Sequence, residues 1–167
     1  MNTLETGDSP RMAVKKSAPL RVLVVDDELL IRWSVAQTLG DQGYEVVETA
    51  NAHETRLAVG EDPSFDVVLL DYRLPDSDDL SLLASIRRAT PAAQVILMTA
   101  FGRPEVVQGA LDLGAYRVIT KPFEMQAIAE LVAEAHAGGP LPVSRVSVPG
   151  APGHDRRPAI DKQEVQS

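Results

Sequence analysis

Four groups of side chains stand out by type and spacing: Asp26-Asp27-Glu28, Asp71, Thr99 and Lys121. Each follows directly on a short apolar run, respectively Arg21 to Val25, Val67 to Leu70, Gln94 to Met98 and Tyr116 to Thr120. Apolar runs without alternation predict strands buried on both faces, as in a parallel sheet. In such a sheet all four groups meet at the carboxyl edge, where ligand and catalytic groups of open α/β sheets collect. Three carboxylates crowded together resist ionising unless a cation is present. Hard oxygen ligands with no Cys or His nearby suit Mg²⁺, which keeps several waters and recruits phosphate oxygens. With the Lys121 ammonium and the Thr99 hydroxyl around the same carboxylate, the set suits a transferred phosphoryl group, where catalysis is positioning and charge neutralisation. Asp71 is then the nucleophile, forming an acyl phosphate. Singly, each residue has a plainer reading: Asp71 or Asp26 as a turn or helix N-cap, Thr99 as structural, Lys121 as a solvated surface charge. Two adjacent carboxylates and four loaded strand ends favour the joint site.

The elements that must position these groups read as five strand–helix alternations. Ile31, Val35 and Leu39 recur at helical spacing after the first strand, with acidic residues expected in the first turn. Tyr44 to Glu48 is a second strand, and Asn51 a candidate N-cap for a helix reaching Gly60. Leu82, Leu83 and Ile86 mark a helix before Pro91. Pro104 suits the first turn of the next helix, which stops at Gly114 and is weakened by Gly109. Ile128, Leu131, Val132 and Ala135 mark the last. Short loops between alternating elements imply a parallel sheet covered on both faces. Residues 20–137 thus form the folded domain. Residues 1–19 read as a disordered arm, and 138–167, rich in Pro and Gly, as a disordered tail.

At 167 residues, 44% hydrophobic and 24% charged, the chain has the composition of a soluble globular protein. A net charge of −8 opposes broad binding to nucleic acid or an anionic membrane. There is no Cys, hence no disulfide framework and no thiolate metal site. The N-terminus lacks the apolar core of a secretory signal, and no run approaches a membrane span, so a cytoplasmic location is expected. His53, His136 and His154 are isolated and read as surface residues; Trp33 reads as helix packing, and Arg156-Arg157 is too short for a nucleic-acid patch.

Over roughly Pro19 to Gly138 the chain resembles the receiver domain of bacterial two-component response regulators. The motifs that carry the resemblance are Val24-Val25-Asp26-Asp27-Glu28, Leu69-Leu70-Asp71-Tyr72-Arg73-Leu74-Pro75-Asp76, Met98-Thr99-Ala100 and Lys121-Pro122-Phe123. Each alone is weak; together, in order and at strand ends, they are specific. The resemblance implies a three-layer, doubly wound α/β fold with a five-stranded parallel sheet in the order 2-1-3-4-5. It implies phosphorylation of Asp71 by a sensor histidine kinase or phosphotransfer protein. Mg²⁺ would be held directly by Asp27 and Asp71, through water by Asp26, and by the backbone carbonyl of Arg73. Lys121 would contact the phosphoryl group across a Lys121–Pro122 bond that is often cis in the family. Thr99 and the Ala100 N–H would turn toward the new charge and repack the face made by the fourth helix, fifth strand and fifth helix, where a downstream protein would bind. A homodimer on phosphorylation is a further option of the family. Phe101 and Arg73 would flank the path of hydrolytic water and lengthen the acyl phosphate's life.

Several positions depart from the family pattern. The aromatic that usually rotates on activation lies three residues before the Lys, and here it is Val118; Tyr116 matches a different aromatic position. The loop after Pro75 carries Asp76, Ser77, Asp78 and Asp79 in place of glycines, extra charge that bears on partner docking. The stretches around Trp33 and Asp71 are worded like NtrC-like enhancer-binding regulators, yet no ATPase phosphate loop or helix-turn-helix follows, so no output module is expected in this chain. Two other functions compete with the phosphorylation switch. A Mg²⁺-dependent phosphohydrolase of the haloacid dehalogenase type needs an acid two residues after its nucleophile, where this chain has Arg73. An interaction module that keeps the receiver shape without phosphorylation is disfavoured by the intact chemical positions. The switch would act by protein contact, and its only catalysis would be on itself.

Overall fold

The computed structural model describes residues 18–138 and the pair Val146–Ser147. Most of the expected N-terminal arm and C-terminal tail lies outside the described residues, as does His154. The elements run β1 (Arg21–Val25), α1 (Leu29–Asp41), β2 (Glu45–Thr49), α2 (Ala52–Glu61), β3 (Val67–Asp71), α3 (Ser81–Ala89), β4 (Gln94–Thr99), α4 (Pro104–Asp112), β5 (Arg117–Thr120), α5 (Met125–His136) and β6 (Val146–Ser147). All pair in parallel, in the order β2-β1-β3-β4-β5-β6. The five-stranded order 2-1-3-4-5 is present, and the two-residue β6 extends it past β5. From β1 the chain moves outward to β2, then returns across β1 to β3. This reversal places the switch point, and its crevice, between the carboxyl ends of β1 and β3.

Strand alternation sorts the core into two layers. Leu23, Val25, Val68, Leu70, Leu97 and Val118 point to one face, where Val59 of α2, Leu83 and Ile86 of α3 and Ala110 of α4 cover them. Val22, Val24, Leu69, Ile96, Met98 and Ile119 point to the other, under Val35 and Leu39 of α1 and Ile128 and Val132 of α5. Every residue of β3 is buried, as expected for a central strand covered on both sides. That burial is what makes a carboxylate at its end costly.

Local chemistry sets the helix starts. Asn51 caps α2, its side chain accepting from Glu54 N at 2.8 Å. Asp76 reinforces the same helix from the β3–α3 loop, accepting from Ala52 N at 2.7 Å and His53 N at 3.0 Å. Asp79 accepts from Ser81 N at 2.8 Å at the start of α3. Two acids of the loop after Pro75 therefore serve helix N-termini, which answer part of the charge that reads from sequence as free for partners. The first turn of α1, by contrast, holds no acidic residue. The helix begins only at Leu29 because Asp26 Oδ1 accepts from Glu28 N at 2.8 Å, turning the chain before it and keeping Asp26 at the strand end.

Gly109 of α4 has a packing reason that offsets its poor helix propensity: a Cβ there would stand 2.8 Å from Leu80 Cδ1. Trp33 does not pack in the core. It is 55% exposed on α1, which corrects the reading of it as a helix-packing residue. Val118 is fully buried in the hydrophobic core, so the position of the usual rotating aromatic is filled by a small, enclosed side chain. Val118→Phe is expected to lower the unfolding free energy by about 1–3 kcal/mol through overpacking, measured by urea denaturation.

Candidate functional site

The site assembles at the carboxyl edge of β1, β3, β4 and β5. Asp26 follows the last residue of β1 and is fully buried; Asp71 ends β3 and Thr99 ends β4, both buried. Parallel register aligns these ends, with Val25 opposite Leu70, Asp71 opposite Met98, and Thr99 opposite Thr120, the residue before Lys121. The Lys121 Nζ donates to Asp26 Oδ2 at 2.7 Å, Asp71 Oδ2 at 3.1 Å and Glu28 Oε1 at 3.2 Å. The Lys121–Pro122 peptide is cis. Asp27 is exposed beside them, and carboxylate oxygens of Asp26, Asp27 and Asp71 all lie within 4.8 Å of one another. An open cavity of about 540 Å³ borders the group, lined by Asp27, Asp71, Arg73, Thr99, Ala100 and Lys121, with Phe101 and Arg103 at its rim.

Electrostatics follow from this crowding. Burial pushes the Asp71 carboxyl up to about 6; Lys121 opposes that shift and the neighbouring charge of Asp26 adds to it. Burial by itself would lower Lys121, but its hydrogen bond to Asp26 and the charges of Asp71 and Asp26 outweigh it and push the ammonium up to about 12. Lys121 is therefore a permanent cation, while Asp71 sits near the boundary between its two forms. The donor set fits a hard divalent cation: oxygen ligands only, close together, and carrying more negative charge than one ammonium offsets.

The Thr99 hydroxyl is engaged with the loop that follows it, accepting from Phe101 N at 3.2 Å and donating to Phe101 O at 3.1 Å. Arg73 sits at the rim, and its N–H donates to Asp71 Oδ1 at 3.3 Å. Asp27, Asp71, Thr99, Ala100, Arg73 and Lys121 are thus brought together around one cavity, with Asp26 buried behind it in contact with Lys121. Two contributors carried no sequence signal of their role. Glu28 reaches Lys121, although the Asp-Asp-Glu triplet marked it as a neighbour. Arg32 donates from Nη1 to the Asp26 carbonyl oxygen at 2.6 Å and lies 3.4 Å from Glu48, tying α1 to the loop that bears the carboxylates. Its place on the inner side of the helix depends on where the helix begins, which periodicity alone leaves loose.

Residues 22–133 match the response regulator receiver domain. The chain belongs to this family. The receiver is 36% identical over 120 residues to a chemotaxis protein CheY of Treponema pallidum, a match spanning 70% of this chain and 82% of that one. Response regulator protein PilR of Pseudomonas aeruginosa is also 36% identical, over 115 residues, which span 69% of this chain and 26% of that longer protein. Among solved structures, a CheY-like receiver from Methanospirillum hungatei superposes with a TM-score of 0.65 at 30% identity, covering 73% of this chain and all of the other. The beryllofluoride-activated NtrC4 receiver dimer gives 0.66 at 30% identity, covering 71% and 97%. No helix among the described residues of this receiver is long and apolar enough to cross a membrane.

The Asp71 charge has a cost in stability that pH can switch. Folded Asp71 titrates near 6 against an ordinary 3.8, so the folded state holds this proton to higher pH than the unfolded chain does. Above pH 6 the buried charge destabilises by about 2–3 kcal/mol; the penalty shrinks as pH falls from about 6 and is gone below 3.8. In Mg²⁺-free buffer, Asp71→Asn is expected to be more stable than wild type at pH 7 by about that amount, and to lose the advantage near the acid end of the window. Urea unfolding at the two pH values measures it.

Proposed function

We propose that this receiver takes a phosphoryl group on Asp71 from the phosphohistidine of a sensor kinase or phosphotransfer protein, and signals by protein contact. The observation that carries the reading is Lys121 Nζ lying between the buried carboxylates of Asp26 and Asp71 while the open cavity stands against them. An Asp71 oxygen attacks phosphorus, the P–N bond to the donor histidine breaks, and the imidazole leaves. Lys121 stays within reach of the oxygens that gain charge. Asp26, Asp27, Asp71 and the backbone carbonyl of Arg73 would hold Mg²⁺. When bound, that ion supplies charge neutralisation for the crowded oxygens. Hydrolysis of the acyl phosphate by water then resets the site, slowed by the bulk of Phe101 and Arg73 at the cavity rim. The protein is a substrate of its own chemistry, in the cytoplasm, and turns over nothing else.

Switching follows from charge. A phosphoryl group adds about −1.5 to −2 charges and strong acceptor oxygens beside Thr99. A charged acceptor outcompetes the neutral Phe101 carbonyl for the Thr99 hydroxyl. Thr99 then releases the β4–α4 loop, whose Ala100 N–H joins the phosphoryl oxygens. Because Val118 is small and fully buried, the change passes through Thr99 and the loop into α4, without an aromatic rotation. The face made by α4, β5 and α5 is the place for a downstream protein or a second copy; the similar beryllofluoride-activated NtrC4 receiver is a dimer. Nucleic acid and membrane are not partners on this reading.

The donor protein has a place to land. Leu29, Leu30 and Trp33 at the start of α1 are 65%, 78% and 55% exposed, and Phe101 across the cavity is 70% exposed. Large apolar side chains grouped this way at the mouth of a site mark a contact surface.

Wild type incubated with Mg²⁺ and acetyl phosphate is expected to gain the mass of one phosphoryl group, and Asp71→Asn to gain none. A phosphoryl group on the variant, or none on a wild type shown to bind Mg²⁺ when phosphorylated kinases are also supplied, would remove this reading in favour of a phosphorylation-independent module. Trp33→Ala is expected to slow transfer from the cognate kinase by about tenfold or more while leaving uptake from acetyl phosphate unchanged, both read by rapid quench.

A further inference from the structure

The outer edge of β5 is occupied. β6 pairs with it in parallel, Val118 opposite Val146 and Ile119 opposite Ser147. Along a strand, successive backbone N–H groups point to opposite sides. Lys121 N donates inward to Thr99 O at 2.8 Å, and with Leu97 opposite Val118 and Thr99 opposite Thr120 the Ile119 N–H shares that side while the Val118 N–H faces the outer edge. An unpaired edge of this kind is a template for any extended segment.

Beside the edge, β5 and α5 border a groove of about 470 Å³ whose walls include Ile119, Phe123, Ile128 and Leu131, with Glu124 and Glu130 among its acidic residues. The sequence around β6 suits both features. Val143-Ser144-Arg145-Val146-Ser147-Val148 is rich in β-branched residues, carries a positive charge, and is bounded by Pro142 and Pro149. Proline cannot donate to a ladder, so the two prolines limit the segment to a short edge strand. This is also the signal that a tail reading based on Pro and Gly content passes over.

We propose that the β5 edge and the adjoining β5–α5 groove form a strand-addition site, and that its occupant is this chain's own C-terminal segment around Val146–Ser147. The segment completes the sheet in cis and holds the α4–β5–α5 face closed to a second strand, whether from a partner or from another copy. The site accepts an extended, β-branched segment with a basic residue, running parallel to β5. It rests on the sheet edge alone and is independent of phosphoryl transfer, so the two readings fail separately.

The test uses the full chain and a double variant, Val146→Pro/Ser147→Pro, followed by amide hydrogen exchange with residue resolution. In the variant, Val118 is expected to exchange about tenfold faster or more, while Ile119, bonded inward, is unchanged and reports that the domain remains folded. A synthetic peptide of residues 142–149 is then added. A short connection such as residues 139–145 gives a cis segment an effective concentration of about millimolar, so a segment that fills the site in cis must be visible in trans at several millimolar peptide. The peptide is expected to slow Val118 exchange in the double variant and leave wild type unaffected. Equal Val118 exchange in wild type and variant, a peptide without effect on the variant, or a peptide acting equally on both would each overturn the proposal.

Discussion

Lys121 is the group on which the site depends. A doubly covered parallel sheet needs apolar strands, and its central strand, β3, ends in a carboxylate that the fold has largely removed from water. A second carboxylate, Asp26, stands fully buried at the end of β1. Two such groups repel and neither is well solvated, so they persist only with a cation in contact with both. The Lys121 ammonium supplies it, at 2.7 and 3.1 Å. One ammonium against Asp26, Asp71, the nearby Glu28 and the exposed Asp27 leaves the cluster short of positive charge. Burial, with the charge of Asp26 adding to it, raises Asp71, and the shortage favours a divalent ion, so stability and function pull in opposite directions at this edge.

The same edge holds the means of passing a local charge outward. Thr99 sits one strand from Asp71 with its hydroxyl committed to Phe101, at the start of the loop that leads into α4. Helix α4 meets the β3–α3 loop closely at Gly109, where Leu80 occupies the space a side chain would fill. On the proposed reading, a pull on the loop at Thr99 would reach the place where α4 packs, and the small, buried Val118 offers no aromatic to rotate. The proposed chain of events is short: one hydroxyl would change acceptor, one loop would move and one helix would shift.

Much of this was legible in the residues. Unbroken apolar runs mark β1, β3 and β4 nearly to the residue, and the chemistry at strand ends singles out Asp26, Asp27, Asp71, Thr99 and Lys121. Asn51 was readable as a cap because capping is local. What local pattern missed is tertiary. Asp76 and Asp79 looked like free loop charge because nothing in the sequence says that the loop reaches the N-terminus of α2 or turns into α3. Trp33 looked like helix packing because a large aromatic on a helix usually finds a neighbour to cover it, yet here it is exposed. Arg32 and Glu28 acquired roles only once the helix start was fixed at Leu29. β6 went unread because a two-residue edge strand is held by its neighbour, not by its own period. The roles of Mg²⁺ and of Asp71 as acceptor came from the joint chemistry and the family resemblance, and they stand as proposals to be measured.

The most direct measurement is a calorimetric titration of the protein with Mg²⁺ at pH 8 and again at pH 5. If the ion replaces the missing positive charge at Asp26, Asp27 and Asp71, one site is filled at pH 8. At pH 5, about one unit below the titration of Asp71, affinity falls by about tenfold as protons compete for that carboxylate. Affinity that is equal at the two pH values, or no binding at either, would contradict the account of this site as an electrostatically unfinished cluster awaiting a divalent ion.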